Sequence, residues 1–321
     1  MPAVREQGPR TGVWLFPAAP APRMVEFVEH AERLGLDEIW LGDEGPARDP
    51  LGVLAAAAVR TRSIRLAVGV TNPYVRHPAM TAVSMMTIHE LSAGRAIVGL
   101  GVGGNMALDP LNLTAVRPVQ TIRDALQTIR AVTRGESGGS YRARDGALQS
   151  PDLPIFVGSR SPRINHLASA LADGAFVAGL PVSQVAEVVG WARSSRRIPV
   201  AVYISAAFEP EDVERARPEM AWGLANSSDA TVALTGLPRS AFEAATAALQ
   251  RGDREPARTL MTDDVLRQML VWGSPEDIGA RLAQLVHQLQ PDSIGLSLLQ
   301  DDVPRALEAS AATFAAMRRN L

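Results

Sequence analysis

At 321 residues, 46% hydrophobic and 21% charged, the chain has the balance of an ordered globular protein, which excludes wholesale disorder and a membrane-embedded class. Its formal net charge of −2 leaves no basic footprint for nucleic acid, and the pairs Arg196-Arg197 and Arg318-Arg319 read as solvated helix ends. The absence of cysteine excludes disulfides, thiolate nucleophiles and thiolate-bound zinc.

The stretch from Met1 to Arg10 has charges and two prolines but no apolar run, and the apolar segment 53–59 is far too short to span a bilayer. A cytoplasmic location without a membrane partner is expected. Beyond it, short runs rich in Val, Ile and Leu alternate with longer amphipathic stretches, the pattern of buried parallel strands separated by covering helices. In chain order the expected strands lie at 12–16, 38–41, 64–69, 96–100, 154–157, 175–177, 199–205 and 293–298. The expected helices lie at 23–34, 50–60, 78–91, 121–133, 162–171, 182–194, 275–289 and 304–318. Several open on proline, which sacrifices no hydrogen bond in the first helical turn.

Residues 135–150, rich in Gly, Ser and charge with an Asp145-Gly146 turn, read as a surface loop or small hairpin. Residues 209–273 read as a helical insertion between the seventh and eighth strands. Neither has the low complexity of a linker, so one domain over 1–321 is expected. Eight strand–helix units predict an α/β fold, a (β/α)8 TIM barrel, where a doubly wound sheet would stop at about six strands. Chemistry in such a barrel belongs at the C-terminal ends of the strands.

The second strand ends in Asp43-Glu44. Adjacent acids can divide into an ionised and a protonated partner suited to proton transfer; alternatively Asp43 caps the next helix and Glu44 is merely solvated. The third strand leads into Gly69-Val70-Thr71-Asn72-Pro73, where a glycine within a strand marks a bulge or a close approach to a ligand, although Asn72-Pro73 is also ordinary turn chemistry. His77 before Pro78 fits helix capping as well as catalysis. After the fourth strand, Gly101, Gly103, Gly104 and Asn105 form a glycine-rich turn that lets backbone N–H groups approach a ring or phosphate. It is a weak dinucleotide fingerprint, because Pro110 keeps a helix from starting promptly. After the fifth strand, Gly158-Ser159-Arg160-Ser161-Pro162-Arg163 runs straight into a helix. Amides at a helix N-terminus, two hydroxyls and two guanidiniums suit an anion; the simpler reading makes Ser161 only an N-cap. The five histidines show no metal-ligand spacing, and no GxSxG elbow or P-loop occurs.

Taken together, Gly69-Val70-Thr71-Asn72-Pro73-Tyr74-Val75-Arg76-His77-Pro78, Glu90-Leu91-Ser92-Ala93-Gly94-Arg95, Gly99-Leu100-Gly101-Val102-Gly103, and Pro154-Ile155-Phe156-Val157-Gly158 with Ser161-Pro162-Arg163 closely resemble the luciferase-like oxidoreductases. Within that family the nearest likeness is to the branch that uses the deazaflavin coenzyme F420, such as methylenetetrahydromethanopterin reductase. The resemblance implies a non-proline cis peptide at Gly69–Val70 backing the deazaflavin ring. It also implies contacts to the ring or its side chain from Asp43, Thr71, Asn72 and the Gly101, Gly103, Gly104 and Asn105 turn, and a phosphate held by Gly158, Ser159, Arg160, Ser161 and Pro162. Two departures stand out. Many relatives carry Asp-His where this chain has Asp43-Glu44, and an acid near the position of Asn105, so sugar-phosphate dehydrogenase activity is not expected and Glu44 becomes the candidate proton donor or acceptor. The expected activity is hydride transfer between deazaflavin C5 and a small substrate with a C=C or C=N bond, in a homodimer. An FMN-dependent monooxygenase of the same fold and a non-catalytic cofactor-binding barrel remain as alternatives.

Overall fold

The computed structural model describes residues 8–45, 47–103, 105–147 and 149–321, with the side chains of Asn105 and Met106 left out. Its strands are β1 (Arg10–Leu15), β2 (Glu38–Leu41), β3 (Arg65–Thr71), β4 (Ala96–Leu100), β5 (Ile155–Gly158), β6 (Gly174–Ala178), β7 (Val200–Ala207), β8 (Leu270–Trp272) and β9 (Ser293–Leu298). Parallel pairing runs in order from β1 to β7, and β9 closes the ring between β7 and β1. The result is the (β/α)8 barrel read from the sequence. The helices outside it are α1 (Ala21–Arg33), α2 (Pro50–Arg60), α3 (Pro78–Leu91), α4 (Asn105–Leu108), α5 (Pro118–Arg134), α6 (Pro162–Leu171) and α7 (Val185–Ala192), followed after β7 by α8 (Pro210–Ala225), α9 (Asp229–Ala233), α10 (Arg239–Gln250), α11 (Glu255–Leu260) and α12 (Asp263–Met269), then α13 (Pro275–Leu289) and α14 (Val303–Arg319). None of the described helices is long and apolar enough to cross a membrane.

Successive strand residues point to opposite faces, and the two faces of this barrel carry different chemistry. Outward positions such as Ile39, Leu41, Leu66, Val68, Val98, Val157 and Val202 join the helices in one large apolar cluster. Inward positions hold Trp40, Phe156, Phe176 and Tyr203 with Ala67, Ile97 and Ala201. Trp40 stacks on Phe176 with ring centroids 4.3 Å apart, a packed plug of the kind that fills barrel interiors. Glycines opposite the rings make the room. A Cβ on Gly174 would lie 2.5 Å from the Phe156 ring, and one on Gly295 would lie 2.3 Å from Tyr203.

The plug ends in polar groups at both rims. At the N-terminal rim, the buried carboxylate of Glu38 accepts hydrogen bonds from the Trp40 indole (3.0 Å), the Tyr203 hydroxyl (2.9 Å) and Ser293 Oγ, and pairs with Arg65 at 3.3 Å. A buried charge is tolerated only when partnered in this way. The C-terminal rim carries Asp43 and Glu44.

Two local features differ from the sequence-based expectation. The insertion between β7 and the closing strand is helical from α8 to α12, but it finishes in the three-residue β8, which pairs with β7 at Ser205, Ala206 and Ala207. That edge of β7 is exposed there because β6 stops pairing at Tyr203, and unpaired strand edges recruit partners. The Ala- and Leu-rich stretches of the insertion mostly build its own apolar cluster around Phe242, Met261 and Leu266. Finally, one helical turn, α4, does start directly after the glycine-rich turn and precedes a 3-10 turn containing Pro110; the proline limits its length rather than preventing it. Residues 135–150 contain only an isolated antiparallel bridge, Gly138 to Tyr141.

Candidate active site

All the sequence-derived site residues that fall within the described chain gather at the C-terminal rim, as strand polarity requires. Gly104 and the side chain of Asn105 lie outside the described residues.

Asp43 follows β2 and accepts a 2.7 Å hydrogen bond from Thr71 Oγ1 at the end of β3. It does not cap the next helix; Asp49 does, accepting from Leu51 N at 3.2 Å. Burial raises the Asp43 pKa above the ordinary aspartate value, the Thr71 bond and Arg76 oppose that rise, and Asp49 adds to it. Arg76 is itself tied to Asp49 at 3.1 Å. Among the described residues, the Glu44 carboxylate receives no hydrogen bond. Surrounding protein raises its pKa, Arg160 pulls it down, and the neighbouring Asp43 pushes it up. Both acids retain some contact with solvent, as side chains in a concave mouth do: encircled by protein yet open to water.

The floor of the mouth is the end of β3. The β3–β4 register shifts between Val68 and Thr71, and the Gly69–Val70 peptide is cis, as the family resemblance implies. The Gly69 carbonyl accepts a hydrogen bond from the indole of Trp14 at the end of β1. The Val70 side chain, still partly exposed, wedges between two glycines: a Cβ on Gly101 would approach it to 2.6 Å and one on Gly158 to 2.7 Å. Backbone alone therefore forms the walls beside it.

Asn72 is buried and committed. Its Nδ2 donates to Val102 O at 2.8 Å, and its Oδ1 accepts from Tyr74 N at 2.9 Å. Gly103, at φ +67°, has no room for a Cβ beside the Asn72 amide. Asn72 thus shapes two mouth loops at once, which reconciles its turn role with its place in the site. Tyr74 extends this work, donating its hydroxyl to Val116 O at 2.7 Å. His77 is a helix cap, accepting from Ala79 N.

At the end of β5, Ser159 Oγ accepts from Ser161 N at 3.0 Å, and the buried Asn165 donates to Ser159 O and Ser161 O. Ser161 stands at the N-cap of α6, but its side chain makes no capping bond, so the first-turn amides keep the capacity to meet an anion. Arg160 points elsewhere: its Nη1 donates to Ser227 Oγ at 2.9 Å and its Nη2 to Asn226 O at 3.2 Å, both in the insertion.

Sequence reasoning missed Trp14, Arg76, and the Asn226 and Ser227 contacts. An aromatic N–H donor within an expected strand was the available signal for Trp14. The partners of Arg160 had none, because they depend on how a distant insertion docks.

Over 298 residues the chain is 28% identical to a 5,10-methylenetetrahydromethanopterin reductase of Methanolobus tindarius, a match covering 86% of this chain and 90% of that protein. A 5,10-methylenetetrahydromethanopterin reductase of Archaeoglobus fulgidus is 30% identical over 280 residues, covering 81% of this chain and 84% of the relative. Among solved structures, the coenzyme F420-dependent tetrahydromethanopterin reductase of Methanopyrus kandleri shares the fold, with a TM-score of 0.77 at 24% identity over 95% of this chain and 97% of that one. Matched from residue 3 to residue 293, the chain belongs to the luciferase-like monooxygenase family.

Proposed function

We propose that this protein is an F420-dependent oxidoreductase that moves a hydride to or from a small organic substrate with a C=C or C=N bond. The observation that carries this reading is the mouth itself. Two acids with few hydrogen bonds stand at the end of β2, beside a floor formed by Val70 and walls formed by glycine backbone.

These residues fit a flat ring with a phosphate-bearing side chain. Gly69, Val70 and Thr71 would back the ring; Asp43, Asn72, Gly101, Gly103, Gly104 and Asn105 would flank it. Gly158, Ser159, Ser161 and Pro162 would hold the phosphate. When bound, the deazaflavin supplies the hydride chemistry. The protein supplies position and a proton. Thr71 and Arg76 favour ionised Asp43, whereas among the described residues only Arg160 opposes the burial of Glu44. Glu44 therefore holds its proton to higher pH than an ordinary glutamate, as a general acid working near neutrality requires.

The reading is tested by titrating the purified protein with F420 and, separately, with FMN at fixed salt. Selective F420 binding supports it. Selective FMN binding would instead favour a flavin-dependent monooxygenase, and binding of neither would remove the redox reading altogether.

We take the working form to be a cytoplasmic homodimer. In support, Val59 of α2 and Met80, Val83 and Leu91 of α3 are exposed, from 46% to 64%, on adjacent helices, and apolar residues grouped in this way suit a partner surface. Sedimentation that returned a monomer at micromolar concentration would contradict the assembly without touching the chemistry.

A further inference from the structure

Arg160 sits in the turn expected to bind phosphate, yet both of its terminal nitrogens are engaged by the insertion. Its partners are unusually well fixed. Ser227 is buried, and its hydroxyl donates to Gly223 O at 2.8 Å, leaving a lone pair to receive Arg160. Asn226 is the C-cap of α8. Arg239 of α10 takes the neighbouring carbonyls, donating to Ala225 O at 2.8 Å and Ser227 O at 2.7 Å. Three consecutive carbonyls at the C-terminus of α8 thus meet two arginines, one from the insertion and one from the barrel. Terminal helix carbonyls lack intrahelical partners and carry the negative end of the helix dipole, so cations are favoured there. A second tie lies close by in sequence, where Thr231 Oγ1 donates to Gln184 Oε1 at 2.8 Å.

We infer that Arg160 is a positioning residue, a strut that holds the α8–α9 corner of the insertion against the barrel mouth and so makes the insertion a wall of the substrate space. The two bonds use one N–H on each terminal nitrogen and aim the planar fork at the insertion, so the side chain is oriented by Ser227 and Asn226. Anion docking falls to the Ser159–Ser161 turn and the start of α6. Glu44 and Arg160 also act on each other electrostatically. One side chain thereby connects the candidate proton carrier, the end of β5 and the insertion.

The inference rests on the proposed function only for its cofactor-based readout; its structural part stands alone. The first test is hydrogen exchange of the cofactor-free protein over residues 223–235, comparing wild type with Arg160→Gln, Arg160→Lys and the milder Ser227→Ala. Loss of the two Arg160 bonds should speed exchange there about tenfold. Lysine should not rescue it, because a single ammonium does not reproduce the two-pronged bridge. Ser227→Ala should shift exchange in the same direction by less. The second test is acrylamide quenching of bound F420 fluorescence: Arg160→Gln and Ser227→Ala should both expose the coenzyme about twofold more, while its dissociation constant stays within about threefold of wild type. Unchanged exchange in all three variants would overturn the strut. So would a tenfold loss of F420 affinity in Arg160→Gln with Ser227→Ala silent, which would mark a direct phosphate ligand. If the wild type binds no F420, the functional proposal fails, and hydrogen exchange still decides the strut.

Discussion

The two rims of the barrel use the same residue types to opposite ends. At the N-terminal rim, Glu38 is surrounded by Trp40, Tyr203, Ser293 and Arg65. Nearby, one oxygen of Glu32 at the end of α1 accepts from Arg62 N (2.8 Å), Ser63 N (2.6 Å), Ser63 Oγ (2.9 Å) and Ile64 N (3.0 Å). Burial alone would raise the Glu32 pKa, but the hydrogen bonds from Ile64, Ser63 and Arg62 outweigh it and bring the value from 4.5 to about 2. At the C-terminal rim, Asp43 has one hydrogen bond and Glu44 has none among the described residues, and burial raises both. Donor count separates a carboxylate that locks the fold from one poised to exchange a proton. The first kind stabilises; the second costs stability and is retained where chemistry needs it.

The largest expected effect tests the locked rim. Glu38→Ala leaves Arg65 and three donors without their acceptor, so urea unfolding should show a loss of roughly 3–5 kcal/mol. A loss under about 1 kcal/mol would mean the network is incidental. At the reactive rim, Glu44→Gln should lower turnover about 100-fold, at the low end for general acid–base groups, while stabilising the fold. The sign follows from the raised pKa: at neutral pH, ionised Glu44 costs more in the folded chain than in the unfolded one, and glutamine removes that cost. A variant that is slower and also melts at a lower temperature would break the contrast between the rims.

Glu32 sharpens the comparison through pH. Its folded pKa is depressed, so the stability it contributes is present above about 4.5 and is lost as pH falls toward about 2. The difference in unfolding free energy between wild type and Glu32→Gln should be constant from pH 6 to 8 and shrink below about pH 4.5. A difference unaffected by acid would remove the hydrogen-bond explanation. The smallest effect belongs to Trp14→Phe, which keeps a ring beside Gly42 and loses the bond to the Gly69 carbonyl; about 1 kcal/mol of stability should go with it.

The barrel was legible because its signal is redundant: eight apolar runs, each with a covering helix, leave little freedom even though two insertions interrupt the rhythm. The position of the site was legible for a related reason, since strand polarity directs attention to Asp43, Gly69, Gly101 and Gly158 before any contact is known. The cis bond at Gly69–Val70 came from family resemblance, not from the residues themselves. Strand β8 was missed because Leu270–Trp272 is too short to show periodicity and exists only by pairing with an edge that β6 leaves open. The real partners of Arg160 were invisible because Asn226 and Ser227 are 66 and 67 residues away in sequence, in a segment whose composition reports its own core and nothing of its docking.

The central claim is that the reactive rim serves F420 and that Glu44 acts on protons rather than on cofactor binding. The most direct measurement is equilibrium titration of wild type and Glu44→Gln with F420 and with FMN at the same salt concentration. The account predicts selective F420 binding of nearly equal affinity in both proteins. Selective FMN binding, binding of neither coenzyme, or a tenfold loss of F420 affinity on removing the Glu44 carboxylate would contradict it.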